Sequence, residues 1–199
     1  MVAGYYKAKA SSVFEKSLIP YVLVMPDKVD ADNFLPASRS MALKKSIWEK
    51  AGKFDEKLSH NEDYAFAKKL KRIRANIVFE GKAIVYWIPR RNIWQAFTMF
   101  YRFAYGDAEA GILRPKVILI YARYMVGVVW GVWAFRDKND SALFGLIVLV
   151  FLYAGWAVWK NYKYVNHPMA FFYLPLLQIT SDVAVILGTT IGFLKRMVR

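Results

Sequence analysis

Apolar positions along the chain follow two regimes that meet near Arg114. Before it, short apolar runs alternate with charged and turn-forming residues; after it come three long apolar stretches with few interruptions. The opening residues read as a strand end with a turn around Gly4, followed by a helix over residues 11–17. Residues 21–25, Tyr-Val-Leu-Val-Met, form a β-prone run that Pro26 stops, and residues 27–36 are polar and turn-rich, hence loop. Residues 37–43 lead into a short helix over 44–50, with Gly52 as its natural stop.

A polar loop then becomes an amphipathic helix at Ser59-His60-Asn61-Glu62-Asp63-Tyr64. Ser59 and Asn61 are both N-cap residue types, and Glu62 and Asp63 fall in the first turn, where the helix dipole favours acidic side chains. Helical spacing puts Tyr64, Phe66, Ala67 and Leu70 on one side and Lys68, Lys69, Lys71 and Arg72 towards water. Residues 76–79 and 83–88 read as two strands separated by Glu80-Gly81-Lys82, the second closed by Pro89. Residues 93–105 form an aromatic-rich helix flanked by arginines, and Gly106-Asp107-Ala108-Glu109 breaks its pattern. Such a helix suits a bilayer surface, and it also suits packing against a globular core.

Of the three long stretches, 142–159 carries no charge and is the clearest transmembrane helix, 117–135 contains Arg123, and 169–194 contains Gln178 and Asp182. Intramembrane Arg and Asp are costly and need a partner or a polar cavity, which makes Arg123 and Asp182 a candidate pair. The basic tail, 195–199, belongs on the cytoplasmic side under the positive-inside rule. With the amino-terminal part there too, the number of spans is even, and the simplest arrangement pairs 142–159 with 169–194 as a hairpin and leaves 117–135 interfacial. Three spans rank second. The organisation is then a globular part over 1–92, an interfacial amphipathic region over 93–114, and a membrane region of two to three hydrophobic helices over 115–199, in a multi-pass plasma-membrane protein with a cytoplasmic globular part.

Composition supports this division. Apolar residues make up 57% of the 199 and aromatics 17%, more than a soluble domain ordinarily carries, although 22% are charged. A net charge of +14 calls for a polyanion, and beside long apolar runs anionic lipid headgroups need the fewest assumptions. Nucleic acid is set aside, because no helix-turn-helix, zinc or RNA-binding signature accompanies the charge. With no Cys there is no disulfide framework or thiolate metal site, and the two histidines, His60 and His167, lie far apart in unlike segments. The first residues lack the basic and apolar regions of a signal peptide.

Several stretches in order carry a family likeness: 38–45 (Ser-Arg-Ser-Met-Ala-Leu-Lys-Lys), 48–56 (Trp-Glu-Lys-Ala-Gly-Lys-Phe-Asp-Glu), Asn61-Glu62-Asp63-Tyr64, 81–87, Pro89-Arg90-Arg91, and 100–107 (Phe-Tyr-Arg-Phe-Ala-Tyr-Gly-Asp). Together they resemble the acceptor-side half of family 2 glycosyltransferases, inverting enzymes of GT-A fold whose membrane-bound members continue into interfacial and transmembrane helices. The resemblance implies an α/β partial GT-A domain followed by α-helical membrane segments. It also implies transfer of a sugar from a nucleotide-sugar donor to a lipid-linked or polysaccharide acceptor. Asp63 takes the place of the catalytic base, with Glu62, Arg39, Ser40, Arg91, Trp94 and Arg102 as substrate-binding candidates. Arg91 and Arg102 lie near where related membrane enzymes carry a basic-aromatic motif, but its Gln-x-x-Arg-Trp form is absent, and either arginine suits a lipid headgroup as well. Trp94 suits sugar stacking or plain packing.

One departure matters more than these matches. The family's nucleotide-binding half, on the order of a hundred residues of βαβ type ending in a metal-binding Asp-x-Asp, has no counterpart here. Asp30-Ala31-Asp32 lies too close to Asp63, after the wrong elements, and reads as coincidence. The Mg or Mn ion that the family implies therefore lacks its binding motif in this chain. The chain looks like a carboxy-terminal portion, with a separately encoded donor-binding half as a candidate partner. The competing reading is a non-catalytic basic integral membrane protein that binds anionic lipid or a partner protein.

Overall fold

A computed structural model describes residues 1–198. A small mixed sheet anchors the amino-terminal part: β1 (Val2–Ala8) lies centrally, antiparallel to the two-residue β2 (Met41–Ala42) and parallel to β3 (Val78–Trp87). Gly4 is no turn; the strand runs straight through it. Its missing side chain is needed because a Cβ there would strike the Ser40 hydroxyl and the Ala83 carbonyl. The register jumps from Gly4↔Glu80 to Tyr5↔Ile84, so Gly81, Lys82 and Ala83 bulge from β3. The two strands expected at 76–79 and 83–88 are thus one bulged strand, its halves joined by pairing to the same neighbour.

Helix α1 (Val13–Val22) starts one residue after Ser12, whose hydroxyl accepts from the Glu15 N–H at 3.2 Å; the Glu15 carboxylate in turn accepts from the Ser11 N–H at 2.6 Å. It runs past the expected end at residue 17 and takes up Tyr21 and Val22, part of the stretch expected as strand. Tertiary contacts override β propensity here: Leu18 is fully buried, and the Tyr21 hydroxyl donates to the Leu174 carbonyl at 2.7 Å. Helix α2 (Lys45–Lys50) falls where expected. Helix α3 (Glu62–Arg72) turns Phe66, Ala67 and Leu70 inward and leaves Lys68, Lys71 and Arg72 in solvent.

Helix α4 (Ile93–Glu109) continues through the four residues expected to break it. It lies alongside α7 (Ala170–Val198), both running the same way. Gly188 and Gly192, four residues apart on α7, meet the Tyr101 and Tyr105 carbonyls and the Ala104 and Ala108 methyls, an approach no larger side chain would allow. One core cluster joins Leu18 of α1, Trp87 of β3, Ala96, Met99 and Phe100 of α4, and Leu177 and Ala184 of α7, while Ala51 and Phe66 and Leu70 of α3 form a second.

Between α4 and α7 in sequence come α5 (Pro115–Arg136) and α6 (Asp140–Val165), packed together as an antiparallel pair. Helices α5, α6 and α7 are each long and apolar enough to cross a membrane. The Arg123–Asp182 pair forms, with guanidinium to carboxylate at 2.9 Å.

Candidate functional site

A cleft of about 890 Å³ opens where the sheet, the 34–39 loop, the 59–64 loop and one face of α4 meet. Tyr5, Tyr6 and Trp87 line it from the sheet, Glu62 and Asp63 from the start of α3, and Trp94, Gln95, Thr98 and Arg102 from α4. Its size falls in the range of small-molecule sites.

Asp63 sits half-buried at this junction. One carboxylate oxygen accepts from the Ser38 N–H at 3.1 Å and the Ser38 hydroxyl at 3.2 Å, and the other from the Tyr64 N–H at 2.7 Å. These bonds fix the direction of the carboxylate and leave it facing the cleft. Arg39, one residue after Ser38, lies beside the buried Tyr6 hydroxyl. Burial pushes the Tyr6 phenol up and nearby Asp63 adds to this, against the opposing pull of Arg39.

The loop that carries these carboxylates is tied down by α4. Asn61 adopts a left-handed backbone, φ 60°, a conformation Asn tolerates better than most residues. It holds the N-cap position, but its side chain does not cap the helix; the amide donates to Asp107 at 2.5 Å. Ser59 is likewise drawn away from capping, its N–H and hydroxyl donating to Glu109 at 2.9 and 2.7 Å. Both acidic anchors are themselves paired, Asp107 with Arg114 at 2.5 Å and Glu109 with Lys195 of α7 at 3.2 Å. The Arg114 guanidinium also stacks on the Tyr64 ring, 3.9 Å from its centroid. Gly106 completes the clamp, because a Cβ there would strike the His60 carbonyl. The residues 106–109 that break the apolar pattern therefore hold the 59–63 loop, and the helix survives them because their charges are matched.

Burial raises the proton affinity of Glu109, but the two Ser59 donors and the Lys195 ammonium outweigh it and hold the carboxyl below its usual range. A depressed carboxyl contributes stability that is complete above its unfolded pKa and fades as the pH falls through the folded value. Acidification below the ordinary glutamate range of about 4.3 should therefore loosen the hold on Ser59. Hydrogen exchange at the Ser59 amide reads this directly. Glu109→Gln should remove most of that pH dependence, and an unchanged acid profile in the variant would show that another group governs the loop.

Of the residues marked from sequence, the cleft gathers Asp63, Glu62, Arg39, Trp94 and Arg102. Trp94 is 77% exposed, so packing does not account for it. Ser40 is buried against Gly4 and lies outside the lining; Arg91 is also outside, and its neighbour Arg90 lines the cleft instead. Sequence reading passed over Ser38, Tyr6, Asp107 and Glu109. For the last two the signal was two acidic residues on one helix end, with basic partners at Arg114 and Lys195. Among the described residues no group of three or more His, Asp and Glu is placed to hold a metal ion. The Asp30 carboxylate is occupied within its own turn, accepting from the Asp32 and Asn33 backbone and the Asn33 amide. Comparison with protein families, characterised proteins and solved structures finds no match to this chain.

Proposed function

We propose that the chain is the acceptor-side and membrane portion of an inverting glycosyltransferase of family 2 type, working on a GT-A scaffold completed by a donor-binding half outside these residues. The observation that carries this reading is the juxtaposition in one cleft of a fixed, accessible carboxylate, three guanidinium groups (Arg39, Arg90, Arg102) and an exposed indole, Trp94. Asp63 takes the proton from an acceptor hydroxyl as that oxygen attacks the anomeric carbon, so the C–O bond forms opposite the departing nucleoside diphosphate and the configuration inverts. Trp94 offers a flat apolar surface to a sugar ring. The arginines supply positive charge for the phosphates of a lipid-linked acceptor or of the leaving group.

The chain's own residues do not build the family's cation site; what they contribute is the base, the acceptor cleft and the membrane contact. The enzyme works at the cytoplasmic face of the plasma membrane. The test is transfer of label from nucleotide sugars into lipid or polymer by membranes containing the full chain together with its donor-binding half. Transfer should require this chain. If transfer is indifferent to it, and the chain binds anionic vesicles in a salt-sensitive way unaffected by cleft substitutions, the non-catalytic basic membrane protein is the correct reading.

A further inference from the structure

We infer that α5 and α6 form the membrane-crossing hairpin and that α7, despite its length and apolarity, lies along the bilayer surface as a platform under α4. This assignment concerns the lipid contact alone and stands or falls independently of the catalytic reading.

The first observation is where the helix ends are tied. The root of α5 is held to the globular part by Arg114 on Asp107 at 2.5 Å. The end of α6 is held by Lys163 and the Tyr164 hydroxyl on Asp27, at 2.6 and 2.8 Å. Both feet of the hairpin thus stand on the same side. Helix α7 is also held at both ends, by Tyr21 of α1 on the Leu174 carbonyl and by Glu109 of α4 on Lys195. Those anchor points are 21 residues apart, about 32 Å along a helix. A vertical α7 would carry α4 and α1 into the hydrocarbon with it, including the buried carboxylates Glu15, Asp107 and Glu109.

The second observation is what covers each helix. Along the outer half of the hairpin, from Met125 to Leu152, Ala134 alone is fully buried. Val128, Val132, Phe135, Phe144, Val150 and Phe151 are each more than half exposed. Apolar surface on all sides matches lipid chains, whereas a protein partner would leave a polar back. By contrast α7 has two faces. Leu177, Ala184, Gly188 and Gly192 pack on the globular part, and a stripe at 183, 187, 191 and 194 stays open and apolar.

Length and charge agree. Residues 117–135 and 142–159 extend about 28 and 27 Å, close to the roughly 30 Å of a hydrocarbon core. The connecting turn, Arg136-Asp137-Lys138-Asn139-Asp140, is polar enough to emerge on the far side. Four basic residues flank the feet (Arg114, Lys116, Lys160, Lys163) and two flank the turn (Arg136, Lys138), which orients the globular part to the cytoplasm. Arg123, Asp182 and their tyrosine partners then sit where the hairpin leaves α7, near the headgroups. The hairpin expected from sequence, 142–159 with 169–194, is replaced by its neighbour.

Because the chain has no Cys, single-cysteine variants of the full chain in vesicles of mixed neutral and anionic phospholipid test this directly. Lys138→Cys should react with an impermeant thiol reagent from the side opposite to Lys53→Cys and Arg196→Cys. Nitroxides at Val183→Cys, Leu187→Cys and Leu194→Cys should report one shallow depth. A depth changing by about 16 Å between residues 183 and 194 would show that α7 crosses, and would overturn the proposal. So would labelling of residue 138 from the same side as residue 53. Efficient cross-linking between copies through Val128→Cys and Phe151→Cys, with shielding from a lipid-soluble quencher, would also overturn it, by assigning the hairpin to a second copy of the chain.

Discussion

Asp63→Asn should lower sugar transfer by about 10²- to 10⁴-fold while the protein remains folded and in the membrane. The substitution keeps the shape of the side chain and one acceptor oxygen for Ser38, whose N–H and hydroxyl lie 3.1 and 3.2 Å from the carboxylate. What it removes is the capacity to take a proton, together with the acceptor for the Tyr64 N–H at 2.7 Å. The loss should therefore fall on kcat with little change in KM, since the rest of the cleft lining is unaltered. Glu62→Gln is the internal control. Its carboxylate lines the same cleft, yet it has no part in the proton transfer and should cost far less. Equal losses at the two positions would point to a general charge effect, and wild-type turnover by Asp63→Asn would end the base assignment.

Asp182→Ala should be the most disruptive single change in the membrane region, because it removes the acceptor shared by α5, α6 and α7, destabilising their contact by about 1.5–3 kcal/mol. The Asp182 carboxylate is 1% exposed and accepts four bonds drawn from three helices. These come from Arg123 at 2.9 Å and Tyr124 at 3.2 Å on α5, Tyr153 at 2.6 Å on α6, and Gln178 at 3.1 Å on α7. The Arg123 guanidinium also lies over the Tyr153 ring, 4.2 Å from its centroid. Removing the anion leaves the guanidinium, 39% exposed, without its partner; Arg123→Leu leaves the buried anion with its neutral donors alone. The double variant Arg123→Leu/Asp182→Leu leaves neither charge behind and should recover much of the loss. Thermal unfolding in detergent micelles reads all three. Strict additivity would mean the two groups are not coupled, whatever their separation.

The two predictions differ in how far the sequence foreshadowed them. Asp63 was marked by its acidic neighbour, by its place in a first turn and by a family likeness. Arg123 and Asp182 were paired only because each is costly in lipid without the other. The structure shows that pairing and adds Gln178, four residues before Asp182 on the same helix, and Tyr124 and Tyr153, which no spacing rule could select across 58 and 29 residues. Local pattern and structure part where a distant partner intervenes. Residues 106–109 looked like a helix break, but Asn61, Ser59, Arg114 and Lys195 satisfy their charges, and Gly106 makes room for the His60 carbonyl. Residues 21 and 22 looked β-prone, but Tyr21 is held within α1 by its bond to α7.

By itself the sequence determined the properties that are sums over neighbours: long apolar runs become helices, an acidic first turn marks the start of α3, and turn residues mark the ends of α2 and β3. These are set by backbone hydrogen bonding and side-chain partition within a few turns. The tertiary structure alone decided which side chains share the cleft and which carboxylates anchor its loop. It also decided which of three similar apolar helices is covered by protein and which face outward. Those outcomes depend on partners as far as 25 to 153 residues away, because a buried charge or a close backbone approach is tolerated only where its complement arrives in space.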